Sequence, residues 1–158
     1  MTTLGNRIHV RGDFQYDEAV ANSAILPGNI IRLRTDGKVE KQGTAGEQIP
    51  FKIAIEDAES GPSLFRNSGG QTDATAYAQG DLVPHILPGK GSVVNAILKV
   101  GFNYTPGTKL CFDGAGRLFP DTAIGSANIP HGVAEVFDVA LDLTVSGAVD
   151  TLHPVLVI

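Results

Sequence analysis

The chain has 158 residues, 18% of them charged, and a formal net charge of −5, which excludes the broad basic face that a nucleic-acid partner requires. It is 42% hydrophobic with a single cysteine, so it can bury a core of its own but excludes an intrachain disulfide framework. No segment approaches the roughly 18 consecutive apolar residues of a membrane span, and no apolar signal core follows Met1, which predicts no membrane partner and synthesis in a cytoplasm.

The first segment, residues 1–22, has few large apolar residues and no sustained hydrophobic period. We predict that it is an extended N-terminal arm, separate from a single β-domain over 23–158. Two interpretations stay open, a frayed terminus or an arm that orders on a partner.

The next segment carries a clear strand pattern. Ile31 and Leu33 alternate with two arginines, which predicts a half-buried strand. Asp36-Gly37 predicts a two-residue hairpin turn, because a type I′ turn needs positive φ at both of its central positions. Val39 then begins the return strand.

The middle of the chain begins with its least regular part. Residues 60–79 are rich in Gly, Ser, Thr and Asn, which predicts a long surface loop. A strand is predicted over 82–87, where Pro84 indicates an edge or a bulge, and another over 93–100.

Near the C-terminus, residues 137–145 alternate strictly between apolar and polar side chains and predict a long strand. The apolar run 155–158 is expected to pair within a sheet. No segment predicts an amphipathic helix of ten or more residues, so the fold class is all-β.

One pattern occurs twice. Pro27-Gly28 and the strand after it recur at Pro106-Gly107, 79 residues later (106 − 27). The later Ile-Pro step recurs at an offset of 80 (130 − 50). The second copy replaces Asp36-Gly37 by residues 113–116, which predicts a slightly longer turn. An internal repeat of this length fixes architecture before function. We therefore predict a compact β-barrel or sandwich made of two similar β-units, about 24–59 and 103–140.

Catalytic and metal-binding patterns do not emerge from the sequence. No Gly-x-Ser-x-Gly nucleophile elbow occurs, and the acidic group Glu56, Asp57 and Glu59 lacks the spacing of a calcium loop. The four histidines have no spacing typical of metal ligands. They are His9, His85, His131 and His153. We predict no catalytic residues, no cofactor and no bound metal, and thus a protein that is not an enzyme.

Several of these features together resemble a known family. The polar N-terminal segment precedes a Pro-Gly strand that leads into Asp36-Gly37-Lys38-Val39. Ile-Ala-Ile-Glu-Asp-Ala at 53–58 and Ala-Gln-Gly-Asp-Leu-Val at 78–83 follow. Over 24–158 this pattern resembles the head decoration, or capsid cement, proteins of tailed bacteriophages.

That resemblance implies a small β-barrel or sandwich, a homotrimer, that binds the major capsid protein on the outer surface of the mature, expanded phage head and stabilises it. The protein would be made in the bacterial host cytoplasm and be located on the virion. The family has no catalytic residues to transfer. By analogy, the N-terminal arm would contact the capsid. The candidate contact residues are Leu4, Arg7, Ile8, Val10, Arg11 and Phe14.

Two other functions stay open at this stage. A carbohydrate- or receptor-binding β-module on a virion surface usually presents aromatic platforms, yet the chain has no Trp and three Tyr. A small β-barrel enzyme would have to bring Asp57, Glu59, His85 or His131 together in a pocket. No sequence pattern predicts such a pocket.

Overall fold

The computed structural model describes residues 8–56, 76–124 and 132–158. Within these ranges the chain forms thirteen strands and one short 3-10 helix, Asp121–Ala123, which confirms the all-β prediction. The strands are β1 (His9–Arg11), β2 (Phe14–Val20), β3 (Ile30–Leu33), β4 (Val39–Lys41), β5 (Lys52–Ala54), β6 (Leu82–Pro88), β7 (Val93–Leu98), β8 (Asn103–Tyr104), β9 (Lys109–Phe112), β10 (Leu118–Pro120), β11 (Ala134–Val136), β12 (Leu141–Asp142) and β13 (Thr151–Val157).

The second half of the chain, 93–157, forms a closed barrel that we call unit 2. Its strands follow the order β7-β10-β9-β11-β13, and β13 pairs again with β7. All of these pairings are antiparallel except the contact between β7 and β10, where Leu98 lies opposite Leu118 in a parallel bridge. The ring of pairings leaves no open edge between its first and last strands.

The first half, 14–88, repeats this arrangement, and we call it unit 1. Its strands follow the order β4-β3-β5-β6-β2. A parallel bridge between Ala21 and Val39 closes the ring. It matches the Leu98–Leu118 bridge of unit 2. The N–H of the residue after Ala21 donates to the Val39 carbonyl at 2.8 Å, and the N–H of the residue after Leu98 donates to the Leu118 carbonyl at 2.9 Å.

The duplication therefore extends beyond the repeat seen in the sequence. Strand β2 corresponds to β7 and β6 corresponds to β13, although neither pair was part of the predicted units. Beyond the end of β5, the Ile55 N–H donates to the Pro84 carbonyl at 3.0 Å. In unit 2 the Phe137 N–H donates to the Pro154 carbonyl at 3.1 Å in the same relationship. Most of the described part of the chain is thus two copies of one five-stranded plan.

The two hairpin turns have the same length, so the predictions of a two-residue turn and of a longer second turn are wrong. Leu33 pairs with Val39 in unit 1, and Phe112 pairs with Leu118 in unit 2, with five residues between the partners each time. Each turn has a glycine with a left-handed backbone just before its last residue. These are Gly37, with a φ of +81°, and Gly116, with a φ of +74°. This glycine belongs to a three-residue loop, which such hairpins use nearly as readily as a two-residue one.

The described part of the predicted N-terminal arm pairs with the sheets of both units. Strand β1 pairs with β7 of unit 2, and β2 pairs with β6 of unit 1 along its whole length. This corrects the predicted boundary after residue 22, because β2 is the strand that closes unit 1. Residues 1–7 lie outside the described residues.

The predicted long strand over 137–145 is wrong. Only Leu141–Asp142 pairs as a strand there. Asp138 has a φ of +70°, and the Asp142 carboxylate accepts the Thr144 N–H at 2.9 Å, so local turns replace the ladder. The run at 155–158 does pair, but within a longer strand, β13, that includes Pro154. The predicted loop at 60–79 lies mostly outside the described residues, since only 76–79 belong to them.

Two apolar clusters fill the molecule. The smaller one lies inside unit 1 and includes Ile31, Val39 and Val83. The larger one fills unit 2 and also takes in residues from unit 1, among them Ile30. The rings of Phe51 and Phe112 lie 6.0 Å apart within it. The units therefore share a core and form one domain with a common hydrophobic interior.

Candidate interaction surface

Several exposed apolar side chains lie on the N-terminal strands. Val10 is 50% exposed, Phe14 45% and Tyr16 55%; Phe14 and Tyr16 lie on β2, and Val10 lies at an irregularity in the pairing of β1. Together with Arg11 we call them the β1–β2 surface. Large apolar side chains that gather at a protein surface mark interaction sites, whereas single ones carry no such meaning.

The link between β1 and β2 is held tightly against the body. Gly12 has a φ of +102°, and a Cβ on it would lie 2.4 Å from the Ser92 hydroxyl oxygen. That hydroxyl donates to the Asp13 carbonyl at 2.9 Å, and the Gly89 N–H donates to the same carbonyl at 2.9 Å. The β1–β2 surface is therefore preformed on a rigid support.

Ile8 does not belong to this surface, so its prediction as a contact residue is wrong. Its side chain is fully buried in the shared core. Its backbone N–H lies 3.2 Å from both carboxylate oxygens of Glu56. A branched apolar side chain at this position gains more from core burial than from exposure. Leu4 and Arg7 lie outside the described residues.

The other predicted contact residues lie on the outside. The Arg11 guanidinium stands 4.8 Å from the centroid of the Phe137 ring, a cation–π arrangement that fixes an otherwise flexible side chain. Phe14 lines a shallow cavity of about 260 Å³ together with Leu87 and Pro88. Val10, Arg11 and Phe14 are thus exposed in this structure.

Eight further large apolar residues are exposed in the described part of the chain and were not among the predicted contact residues. They are Tyr16, Val20, Leu33, Leu82, Val139, Val145, Val149 and Ile158. A signal for Tyr16 was present, because Phe14 and Tyr16 alternate with polar residues as a surface strand does. Leu33 was assigned to a buried face, yet it lies at the end of β3 and is 54% exposed.

A larger cavity of about 510 Å³ lies beside β3 and is lined by Leu33, charged side chains and Pro50. Both of its arginines are paired, since Glu40 contacts Arg32 at 2.8 Å and Arg34 at 3.0 Å. The hydrogen bond from Arg34, followed by the one from Arg32, keeps the pKa of Glu40 below its usual value. A carboxylate that stays ionised in this way serves as an ion-pair partner and is a poor general acid near neutral pH.

The reactive side-chain types lie in the interior. Burial raises the pKa of the Cys111 thiol to about 12, so the thiol stays protonated. His153 is buried with Nε2 2.7 Å from the Val139 carbonyl oxygen, and burial lowers its pKa. His85 is also buried, with Nδ1 3.1 Å from the Val83 carbonyl oxygen. All three side chains are thus removed from solvent.

Among the described residues, no group of three or more His, Cys, Asp or Glu side chains is arranged to hold a metal ion. Asp57, Glu59 and His131, which the enzyme hypothesis requires, lie outside the described ranges. What the structure does show is a set of exposed apolar side chains on β1 and β2.

The sequence was compared with models of known protein families, and none matches. A search of curated proteins returned no significant match. The part of the chain that the structure describes contains no helix with the length and hydropathy to cross a membrane.

Proposed function

We propose that this protein is a structural component of a virion, a decoration protein that binds the major capsid protein on the outside of the mature phage head as a homotrimer and stabilises it. The proposal rests on the resemblance in sequence. The observation that carries it further is the β1–β2 surface, where Val10, Phe14 and Tyr16 stand about half exposed on strands fixed in the sheets.

The rigid support of this surface bears on its energetics. A segment that must order on binding costs several kcal/mol of the gross interaction energy. Strands that are already paired avoid most of that cost, so a small apolar contact contributes more of its burial energy to affinity. The Gly12–Ser92 contact keeps β1 and β2 in place before any partner arrives. Binding therefore needs no folding step in the described part of the N-terminal segment.

A decoration protein also gains from being multivalent. If three linked copies bind three neighbouring capsid subunits, the second and third contacts form at high effective concentration. Avidity can then exceed the affinity of one copy by about 10²- to 10⁴-fold. One small surface per copy is enough under these conditions.

The test is co-sedimentation of the purified protein with expanded and with unexpanded heads of the phage that encodes it. We expect saturable binding to expanded heads and little binding to unexpanded ones. The variant Val10→Asp/Phe14→Asp should lose most of the binding, because it places two carboxylates in the contact. The matched control is Val145→Asp, at a position that is 57% exposed elsewhere on the chain.

The proposal is wrong if the wild-type protein binds neither kind of head. It is also wrong in its choice of surface if the double variant and the Val145→Asp control bind equally well. Binding to glycans without binding to heads would instead support the carbohydrate-binding module.

A further inference from the structure

The two units are joined by an interface whose two sides can each be named. From unit 1 comes a turn, Pro27-Gly28-Asn29-Ile30, in which every residue is buried; we call it the docking turn. A Cβ on Gly28 would lie 2.5 Å from Leu152 and 3.1 Å from Ile97 of unit 2. The Ile97 N–H donates to the Gly28 carbonyl at 3.2 Å, which adds a backbone contact across the interface.

The other side belongs to unit 2, and we call it the receiving surface. It consists of Ile97, Gly116 and Leu152; beside it, Phe112 packs against Phe51 of unit 1, with ring centroids 6.0 Å apart. The Ile30 N–H of the docking turn donates to the Gly116 carbonyl at 2.8 Å. Ile97 is 3% exposed and Phe112 fully buried. Unit 1 thus removes an apolar patch of unit 2 from water.

Since the units share one plan, unit 1 carries its own copy of the receiving surface. In the ladders, Val20 pairs with Leu82 as Ile97 pairs with Leu152. Leu33 likewise stands where Phe112 stands in unit 2. In unit 1 these side chains are exposed, Val20 by 39%, Leu33 by 54% and Leu82 by 52%. Gly37, the turn glycine of unit 1 that matches Gly116, is also exposed, and a Cβ on it would meet nothing within 4 Å.

Unit 2 in turn carries a second docking turn that the chain itself does not cover. It is Pro106-Gly107-Thr108-Lys109, in which Thr108 is half-buried and the other three residues are exposed. Gly107 has a φ of +85°, close to the +93° of Gly28, so the two turns have similar backbone shape. A Cβ on Gly107 would meet nothing within 4 Å.

We propose that the exposed docking turn of one copy binds the exposed receiving surface of a second copy of this chain, in the way unit 1 binds unit 2 within the chain. Pro106–Lys109 of one copy then covers Val20 and Leu82 of the next. The partner is a second copy because this chain holds both sides of the contact in matching register, and among the described residues neither side is covered by its counterpart.

The new contact brings one charged residue of each copy close together. In the first docking turn the position of Lys109 is occupied by the buried Ile30. Ile30 lies beside the hairpin turn of unit 2, which contains Ala115. The residue of unit 1 that occupies the position of Ala115 is Asp36. A backbone hydrogen bond from Lys38 is the largest cause that lowers the pKa of Asp36, so this carboxylate is ionised at neutral pH. Within the chain Lys109 already pairs with Glu135 at 2.6 Å and Asp36 with Arg34 at 3.3 Å, so in the new contact each would share its charge with a second partner.

An interface of this kind is head-to-tail, so it closes into a ring or continues as a filament. Three copies would form a ring of six β-units, which agrees with the expected homotrimer. The inference deepens the oligomeric part of the proposed function, yet it is tested without any capsid.

The experiment measures native mass by size-exclusion chromatography with light scattering at about 50 µM chain. One variant, Val20→Glu/Leu82→Glu, disables the receiving surface. A second, Pro106→Arg, obstructs the docking turn. Val145→Glu is the control at an exposed position outside both surfaces. Circular dichroism and thermal melting check that each variant keeps its β-structure.

We expect the wild type and the control to form oligomers and each interface variant to be monomeric, with association weakened by at least about 100-fold. A mixture of the two variants should form a 1:1 dimer and nothing larger, because only one intact contact remains. Wild-type protein that is monomeric, or folded interface variants that keep the wild-type mass, would overturn the inference. Oligomers that bind no phage head would instead contradict the proposed function and leave the interface supported.

Discussion

The side-chain oxygen of Gln42 accepts the backbone N–H of Gly114 at 3.0 Å, which links the end of β4 in unit 1 to the hairpin turn of unit 2. Gln42 is fully buried, and its backbone carbonyl also accepts the Gly116 N–H at 3.0 Å. Its side-chain nitrogen donates to the Glu47 carboxylate at 3.1 Å and to the Thr44 carbonyl. One buried amide thus satisfies polar groups of both units.

The first prediction concerns this amide. Gln42→Leu keeps a similar volume but leaves the Gly114 N–H without its acceptor, so it should lower the free energy of unfolding by about 2–4 kcal/mol. Urea denaturation measures the change. The control Gln48→Leu removes an exposed amide whose contact with the Gly46 carbonyl is long, at 3.5 Å, and should stay within about 0.5 kcal/mol of wild type. Equal effects of the two variants would show that Gln42 does not join the units.

The second prediction uses the two docking turns as each other's control. Gly28→Ala and Gly107→Ala both place an alanine at positive φ, which costs roughly 1–2 kcal/mol. Only the first also forces a methyl group against Leu152 and Ile97, an overpacking that adds about 1–3 kcal/mol. We expect Gly28→Ala to be the more destabilising in urea denaturation, measured on the Val20→Glu/Leu82→Glu monomer. Equal losses would contradict the tight contact at Gly28.

The third prediction is a pH dependence. Burial lowers the pKa of His153 below its usual 6.5, so below that pH the unfolded chain binds a proton that the folded chain does not. The free energy of unfolding should therefore fall as the pH drops below about 6.5, by at most about 1.4 kcal/mol per pH unit for this group. It should level off below the lowered pKa. Above pH 7.5 both states hold His153 neutral, and the effect vanishes.

His153→Gln tests this assignment, because glutamine can still donate to the Val139 carbonyl but does not titrate. Urea denaturation of both proteins between pH 7.5 and 5.5 gives the comparison, in a range above the titration of ordinary carboxylates. The wild type should lose stability relative to the variant as the pH falls. Parallel profiles for the two proteins would rule out His153 as the source.

Much of the local structure could be predicted from the sequence. Strand β3, its hairpin partner β4 and the return of the pattern at Pro106 depend on alternation and on glycine at fixed places, which neighbouring residues decide. The prediction of a strand over 137–145 was wrong for a local reason as well. Asp138 and Asp142 form turns, which an alternation of apolar and polar residues does not reveal.

The candidate surface was only partly predictable. Val10, Arg11 and Phe14 lie outside as expected, but Ile8 is buried. Whether an isolated apolar residue anchors a partner or fills a core depends on what the rest of the chain places over it. For Ile8 that is the shared core of the two units, which no local pattern describes.

By itself the sequence determined an all-β chain with a repeated turn and strand plan, because hydrophobic alternation and turn residues act over a few positions. Only the tertiary structure decided that the repeat includes β2 with β7 and β6 with β13, since backbone ladders keep their register while side chains diverge. It also decided that Ile97 and Phe112 are covered while Val20 and Leu33 are exposed. Burial is a property of the packed pair of units, and equivalent positions become unequal once one unit covers the other.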